Sequence, residues 1–196
     1  MANMTSSAPA AVISAELASA QIEELAALIE RYQDDPRQQV KKACVRASRR
    51  LEKEHREQER VRQMYEQMVE LGGNGVVIGV DEVGRGSVAG PLTVCAVCLP
   101  AEPIIWGIND SKQLTPARRE LLAVKITDIA RAVGICHIAP EVIDEIGMAA
   151  ALRRAVVGAV EDTGLAPDCV LMDGNPLGAV SCERNVVHGD AHVACI

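Results

Sequence analysis

Two kinds of apolar pattern divide the chain. Before residue 72 apolar residues recur every three to four positions, and after residue 75 they gather in short unbroken runs. Leu17, Ile22, Leu25, Ile29 and Tyr32 keep helical spacing, which predicts one helix starting near Ser14. Asp34-Asp35-Pro36 interrupts it. Asp35 is placed to cap a second helix, with Pro36 at its first position and Gln38 three residues on, as in a capping box. That helix is predicted from about 36 to 70. Its apolar stripe (Val40, Cys44, Ala47, Leu51, Val61, Tyr65, Met68) is thin and is broken by polar residues near 54–58. A two-helix hairpin therefore fits better than a long coiled coil. Gly72-Gly73-Asn74-Gly75 reads as a linker.

Beyond the linker, the run from Val76 to Val80 has the pattern of a buried strand and ends at Asp81. Leu92 to Leu99 is a second strand. Thr115-Pro116 supplies a cap and an N1 proline for a helix whose buried face is predicted as Leu121, Leu122, Ile126 and Ile129. Ala132 to Ala139 reads as a strand, Pro140 to Ile146 as a short helix, and Met148 to Thr163 as a longer one closed by Gly164. Cys169 to Met172 is a strand ending at Asp173-Gly174. Val186-Val187 reads as the trace of another, leading to Asp190. Interleaved strands and helices predict an α/β domain. The organisation expected is a disordered lead over 1–12, a helical extension over 13–72 and an α/β domain over 76–196.

Composition narrows the chemistry. With 48% hydrophobic residues among 196 the chain can build a real core, but without Phe, and with Trp106, Tyr32 and Tyr65 as its only aromatics, that core must be aliphatic. A surface that stacks single-stranded bases is not expected. No apolar run is long enough to span a bilayer, and the first ten residues lack the charge-then-apolar layout of a secretory leader. Seven cysteines without framework spacing fit reduced thiols in a cytoplasm. The net charge is -7, unevenly spread: residues 37–62 carry ten Lys/Arg against four Glu, leaving the rest strongly acidic. A basic arm that touches phosphate and a solvated helix face explain this segment equally well.

Asp81-Glu82, Asp173 and Asp190 each follow a short apolar run. Carboxylates at the C-terminal ends of strands lie where α/β folds place ligands. Gathered there they would repel one another unless divalent cations neutralised them, and hard oxygen donors suit Mg2+ or Mn2+. Asp173-Gly174 also has the composition of a plain turn.

The flanking residues say more. Asp81-Glu82-Val83-Gly84-Arg85-Gly86, then Ala89-Gly90-Pro91, resembles the DEVGRG signature of ribonuclease HII. Asn109-Asp110-Ser111-Lys112-Gln113-Leu114 is similar to that family's DSK-x-L segment, and Glu141 to Met148 to its I-D-x-x-G-I stretch. Met172-Asp173-Gly174-Asn175 and Gly189-Asp190-Ala191 resemble its last two acidic motifs, all in family order. The basic helical lead is similar to N-terminal extensions of some members. The resemblance implies a ribonuclease H-like fold: a mixed five-stranded sheet flanked by helices, with an N-terminal helical extension. It implies a metal-dependent endonuclease that cuts the RNA strand of RNA–DNA hybrids, and duplex DNA 5′ of an embedded ribonucleotide, leaving a 3′-hydroxyl and a 5′-phosphate. Two Mn2+ or Mg2+ ions would be held by Asp81, which bridges them, with Glu82 and Asp173 on one each and Asp190 completing the catalytic set. Gly84, Arg85 and Gly86 would offer backbone groups to the ribose 2′-OH, unless they form only a glycine turn. Ser111 and Lys112 would contact phosphates. A cytoplasmic monomer with no membrane contact is expected.

There are two departures from the pattern. His188 stands where the family usually has Lys, so a phosphate or carboxylate contact there depends on its protonation. The chain also stops at Ile196, before the family's usual C-terminal helical part, and an incomplete domain of low stability and weak activity is expected. A truncated, non-catalytic nucleic-acid-binding protein is the competing reading. Cys95-Ala-Val-Cys98 does not suggest zinc, because residues i and i+3 of a strand point to opposite faces, and the His188/His192 pair lies some 90 residues away.

Overall fold

The computed structural model describes residues 8–86 and 89–196. The chain divides after Glu59 into two compact units.

The first unit is helical. α1 (Ala10–Ser19), α2 (Ile22–Tyr32) and the part of α3 (Gln38–Gly72) up to Glu59 enclose Ile13, Leu17, Leu25, Tyr32, Val40, Cys44 and Ala47. Residues 1–7 of the expected lead lie outside the described residues, and Ala10–Val12, expected to belong to it, are helical. The single helix predicted from Ser14 is in fact two. Its break at Ala20-Gln21, where the backbone is extended, has a cause far along the chain. The guanidinium of Arg50 donates to the carbonyls of Ala18 at 2.6 Å and Ala20 at 2.5 Å. The last carbonyls of α1 thereby gain partners that a continuing helix would otherwise supply. The buried Tyr32 ends its ring on Glu16, with its hydroxyl 2.9 Å from Oε2.

Asp35 opens α3. It accepts from the backbone N–H of Arg37 at 3.0 Å and from its guanidinium at 2.9 and 2.6 Å. The Arg37 guanidinium holds the Asp35 carboxyl down at about 2. A depressed carboxylate stabilises the fold above its unfolded value, and that contribution is lost as pH falls toward the folded one. Asp35→Asn should therefore melt below the parent at pH 7, with the gap closing as pH falls from about 4 toward 2. Circular-dichroism melts across that range check this, and a gap that widens on acidification would refute it.

The second unit is built on a five-stranded sheet. Its elements are the end of α3, β1 (Val77–Val83), β2 (Leu92–Cys98), α4 (Pro116–Ile129), β3 (Ala132–Ile138), α5 (Pro140–Ile146), α6 (Met148–Asp162), β4 (Cys169–Asp173), β5 (Glu183–Val186) and α7 (Gly189–His192). The strand order is β3-β2-β1-β4-β5, antiparallel through β3-β2-β1 and parallel through β1-β4-β5. Alternation along the strands sorts side chains into two cores. Ile78, Val80, Leu92, Val94, Ala96, Val170 and Met172 face α6, whose Ala151, Leu152, Ala155, Val156 and Ala159 cover them. On the other face, Cys169 and Leu171 meet Val61, Met64, Tyr65 and Met68 of α3, Leu122 of α4, and Val193 to Cys195. Small residues on α6 let it lie close to the sheet: a Cβ on Gly134 would come within 2.1 Å of the Ala159 carbonyl.

The linker at Gly72–Gly75 is not the packing boundary. Val61, Met64, Tyr65 and Met68 are buried in the core of the second unit, so the division falls in the polar stretch of α3, where its apolar stripe lapses. Thr115 caps α4 as predicted, accepting from the Arg118 N–H at 3.3 Å. One residue of the predicted buried face departs: Leu121 is 47% exposed, since the core takes only Leu122 fully and Ile126 and Ile129 in part. Among the described residues no helix is long and apolar enough to cross a membrane.

Candidate functional site

The parallel pairing of β1 with β4 runs Ile78–Val170, Gly79–Leu171 and Val80–Met172. Asp81 and Asp173 are the next residues on these neighbouring strands. By alternation both belong to the face carrying Leu171 and Cys195, whereas Glu82 belongs to the face of Val80. β5 pairs Val186 with Asp173, and the chain then turns through His188, the one described non-glycine residue with a left-handed backbone (φ 58°). The turn brings the Gly189 N–H to 2.7 Å from Asp173 Oδ1, so Asp173 fixes the start of α7 and with it Asp190. Three segments far apart in sequence are thus joined at one end of the sheet.

Asp81 shows the electrostatic consequence. It keeps solvent-exposed surface, yet its carboxyl is packed closely enough that burial is the largest cause pushing its pKa above the ordinary carboxylate value. The Glu82 N–H, 2.8 Å from Oδ1, opposes this, and the negative charges of Glu82, Asp173 and Asp190 add to the rise. Glu82 itself is held by Arg85 at 3.3 Å. Across β2 Asp81 is paired with Cys95, whose thiol is pushed upward by burial and by Asp81.

Lys112 sits on the same cluster. Its ammonium lies 3.3 Å from Asp190 Oδ2 and 3.6 Å from Asp110 Oδ1, and these contacts raise its pKa, the Asp190 hydrogen bond most. The side chain is 79% exposed, so the contact is screened and can be exchanged for another. Asp110 also caps the 3₁₀ turn Ser111–Gln113 through the Lys112 N–H at 2.9 Å. Arg119 pins that turn by donating to the Ser111 and Leu114 carbonyls at 3.1 and 2.7 Å. Asp110 follows no strand, and its sequence signal is its place as the first residue of the Asp110-Ser111-Lys112 motif, where it has no expected role.

Gly84 has φ 97°, and a Cβ there would meet the Pro91 carbonyl at 2.5 Å, so the loop after β1 needs glycine at this place. Among the described residues nothing lies within 4 Å of where a Cβ on Gly86 would stand, and Arg85 is exposed. A cleft of about 200 Å3 lies beside Asp190, bordered by Asn109, Ser111, Arg119 and Ile196.

Among the described residues no three His, Cys, Asp or Glu side chains form a closed group able to hold a metal ion. The donor chemistry nonetheless suits a hard cation. The acids are oxygen donors, three of them raise the cost of ionising Asp81, and a divalent cation would remove that cost. The strand ends bring Asp81 and Asp173 together on one face, and the Asp173–Gly189 bond adds Asp190. Glu82 is adjacent in sequence but turned to the other face.

Comparison with known proteins agrees with this architecture. Residues 78–190 match the family model described as Ribonuclease HII, and residues 10–67 match that of the Ribonuclease HII N-terminal domain. The chain is 36% identical over 167 residues to the Ribonuclease HII of Bacillus cytotoxicus, covering 83% of this chain and 64% of that one. It is 38% identical over 158 residues to the Ribonuclease HII of Listeria monocytogenes, covering 80% and 60%. It therefore spans less than two thirds of the length of these relatives. The crystal structure of the ribonuclease H2 from Pyrococcus horikoshii superposes with a TM-score of 0.54 at 29% identity, covering 61% of this chain and 65% of that one.

Proposed function

Because this chain belongs to the ribonuclease HII family, we propose that it is a metal-dependent endonuclease that hydrolyses the RNA strand of RNA–DNA hybrids, including the bond 5′ of a ribonucleotide embedded in DNA. The observation that carries this reading is the convergence of Asp81, Asp173 and Asp190 at one end of the sheet, strong enough that Asp81 ionises against its neighbours.

Asp81 and Asp173, with Glu82 reaching round the end of β1 from the opposite face, would hold two Mn2+ or Mg2+ ions, and Asp190 would complete the set. When bound, such ions supply Lewis-acid polarisation of the phosphodiester and an activated water. The protein's own contribution is positional. The Asp173 carboxylate orients the α7 turn through the Gly189 N–H, and Asp81 must shed its proton to serve. Lys112 exchanges its contact with Asp190 for a substrate phosphate, and Ser111, at the head of a turn fastened by Arg119, adds a second phosphate contact. Gly84, Arg85 and Gly86 present backbone groups to the 2′-OH, the atom that separates RNA from DNA, and the Gly84 conformation permits that approach. Hydrolysis on this plan leaves a 3′-hydroxyl and a 5′-phosphate. One chain supplies all four acids, which supports action as a monomer, and seven free cysteines support a reducing, cytoplasmic setting.

The test is incubation of a duplex carrying one embedded ribonucleotide with this chain and Mn2+ or Mg2+, with a full-length relative as positive control. A single cut 5′ of the ribonucleotide is expected. A duplex left intact by this chain while the control cuts would overturn the catalytic reading and favour a nucleic-acid-binding role.

A further inference from the structure

The first unit carries a feature that the acidic site does not use. Residues 36–51 contain six Lys/Arg and no Asp or Glu. Three of these cations, Lys42, Arg46 and Arg50, recur at four-residue intervals on α3 and line one cleft of about 440 Å3 against α1. No acidic residue lines it, and among the described residues Lys42 and Arg46 have no ion pair. Arg50 forms the inner wall. Its terminal nitrogens are spent on the α1 carbonyls, but its Nε–H is buried with no hydrogen-bond partner among the described residues. A buried, unpaired guanidinium donor beside two unpaired cations is an arrangement that folding alone does not favour.

We propose that this cleft docks the phosphodiester backbone of a nucleic acid strand. Four-residue steps on a helix set successive cations about 6 Å apart along its axis, a row that can follow consecutive phosphates. Ser14 adds a hydroxyl at the rim, and Leu17, Ala18 and Ala47 give an apolar floor suited to sugar carbons. No aromatic residue lines the cleft, so bases are not stacked and recognition is by charge, independent of sequence. A lipid surface is a poorer match, because the cations line a concavity that a flat bilayer does not enter. The inference rests on the nuclease reading only for its choice of probe.

The experiment is fluorescence anisotropy of a labelled RNA–DNA hybrid with the full chain in EDTA, repeated from low to high salt. Without divalent metal there is no cleavage, so docking is read separately from catalysis. Each phosphate contact contributes about 0.9 to the slope of log affinity against log salt. Lys42→Ala with Arg46→Ala should make the slope shallower by about two. Lys41→Ala with Arg49→Ala removes the same charge from α3 outside the cleft and should change it by less than one. If the cleft variant melts differently from the parent, Lys42→Gln with Arg46→Gln, which keeps the aliphatic stems, decides. Equal slope changes for both pairs, or none for the cleft pair, would overturn the proposal. So would tighter, Lys42- and Arg46-dependent binding to phosphatidylserine vesicles than to the hybrid.

Discussion

Asp81→Asn is expected to lower hydrolysis of an RNA–DNA hybrid by about a thousand-fold while raising the thermal midpoint of the metal-free protein. The first effect follows from the donor set. Asparagine keeps the shape of the side chain but removes the central negative charge, and Lewis-acid stabilisation of a phosphodiester is worth several kcal/mol. A loss of ~4 kcal/mol is about three orders of magnitude in rate. The second effect has the opposite sign, because Asp81 is a burden on the empty fold. Its pKa is raised by burial and by Glu82, Asp173 and Asp190, so the folded chain holds that proton more tightly than the unfolded chain does. For such a group stability falls as pH rises from the unfolded value through the folded one. Asparagine cannot ionise and escapes that loss. Steady-state cleavage in Mn2+ and scanning calorimetry in EDTA at pH 7 measure both. Residual activity near the parent's would remove Asp81 from the site, and a lowered midpoint would refute the charge repulsion. In the parent the Asp81 proton competes with the cation, so the Mn2+ concentration needed for half-maximal cleavage should rise on acidification, starting above the ordinary aspartate range.

Gly79→Ala should cost about 3 kcal/mol, the upper end of what overpacking a core costs, because the obstacle is backbone. A Cβ at Gly79 would stand 2.0 Å from the Cys195 carbonyl oxygen, 2.2 Å from its carbon and 2.7 Å from its Sγ. Cys195 is buried, its thiol pushed up to about 12 by burial. Relief must come from shifting the segment from Val193 to Ile196, which follows directly on α7 and Asp190. For a unit of this size the midpoint should drop by about 10 °C, and cleavage should fall with it. A melt within about 2 °C of the parent would mean that the last residues are not packed on β1 as described.

Much of the second unit was legible in the chain because its signals are local. Thr115-Pro116 marks the start of α4 by cap and fixed φ, Pro140 to Ile146 is a helix at the bounds predicted, and apolar runs ending in Asp locate β1 and β4 with their acids. The resemblance to one family's ordered motifs carried the fold class further than periodicity could, since periodicity is silent about which strands are neighbours. The first unit is less legible. Leu17 to Tyr32 keeps helical spacing across Ala20-Gln21, and nothing nearby signals the break, because the group that stabilises it, Arg50, lies some thirty residues on.

The sequence by itself determined where carboxylates end apolar runs and that Thr115 caps α4, whereas the need for glycine at Gly84 shows only in its φ of 97° and its approach to the Pro91 carbonyl. The tertiary structure alone decided that β1 lies between β2 and β4, which sets Asp81 beside Asp173. It also decided that Gly189 donates to Asp173 and that Lys112 reaches Asp190 across 78 residues of chain. The difference is physical: caps, turns and periodicity are settled within one or two helical turns of backbone. Strand order and the faces that pack together depend on which apolar surfaces are buried against each other, and no local pattern encodes that choice.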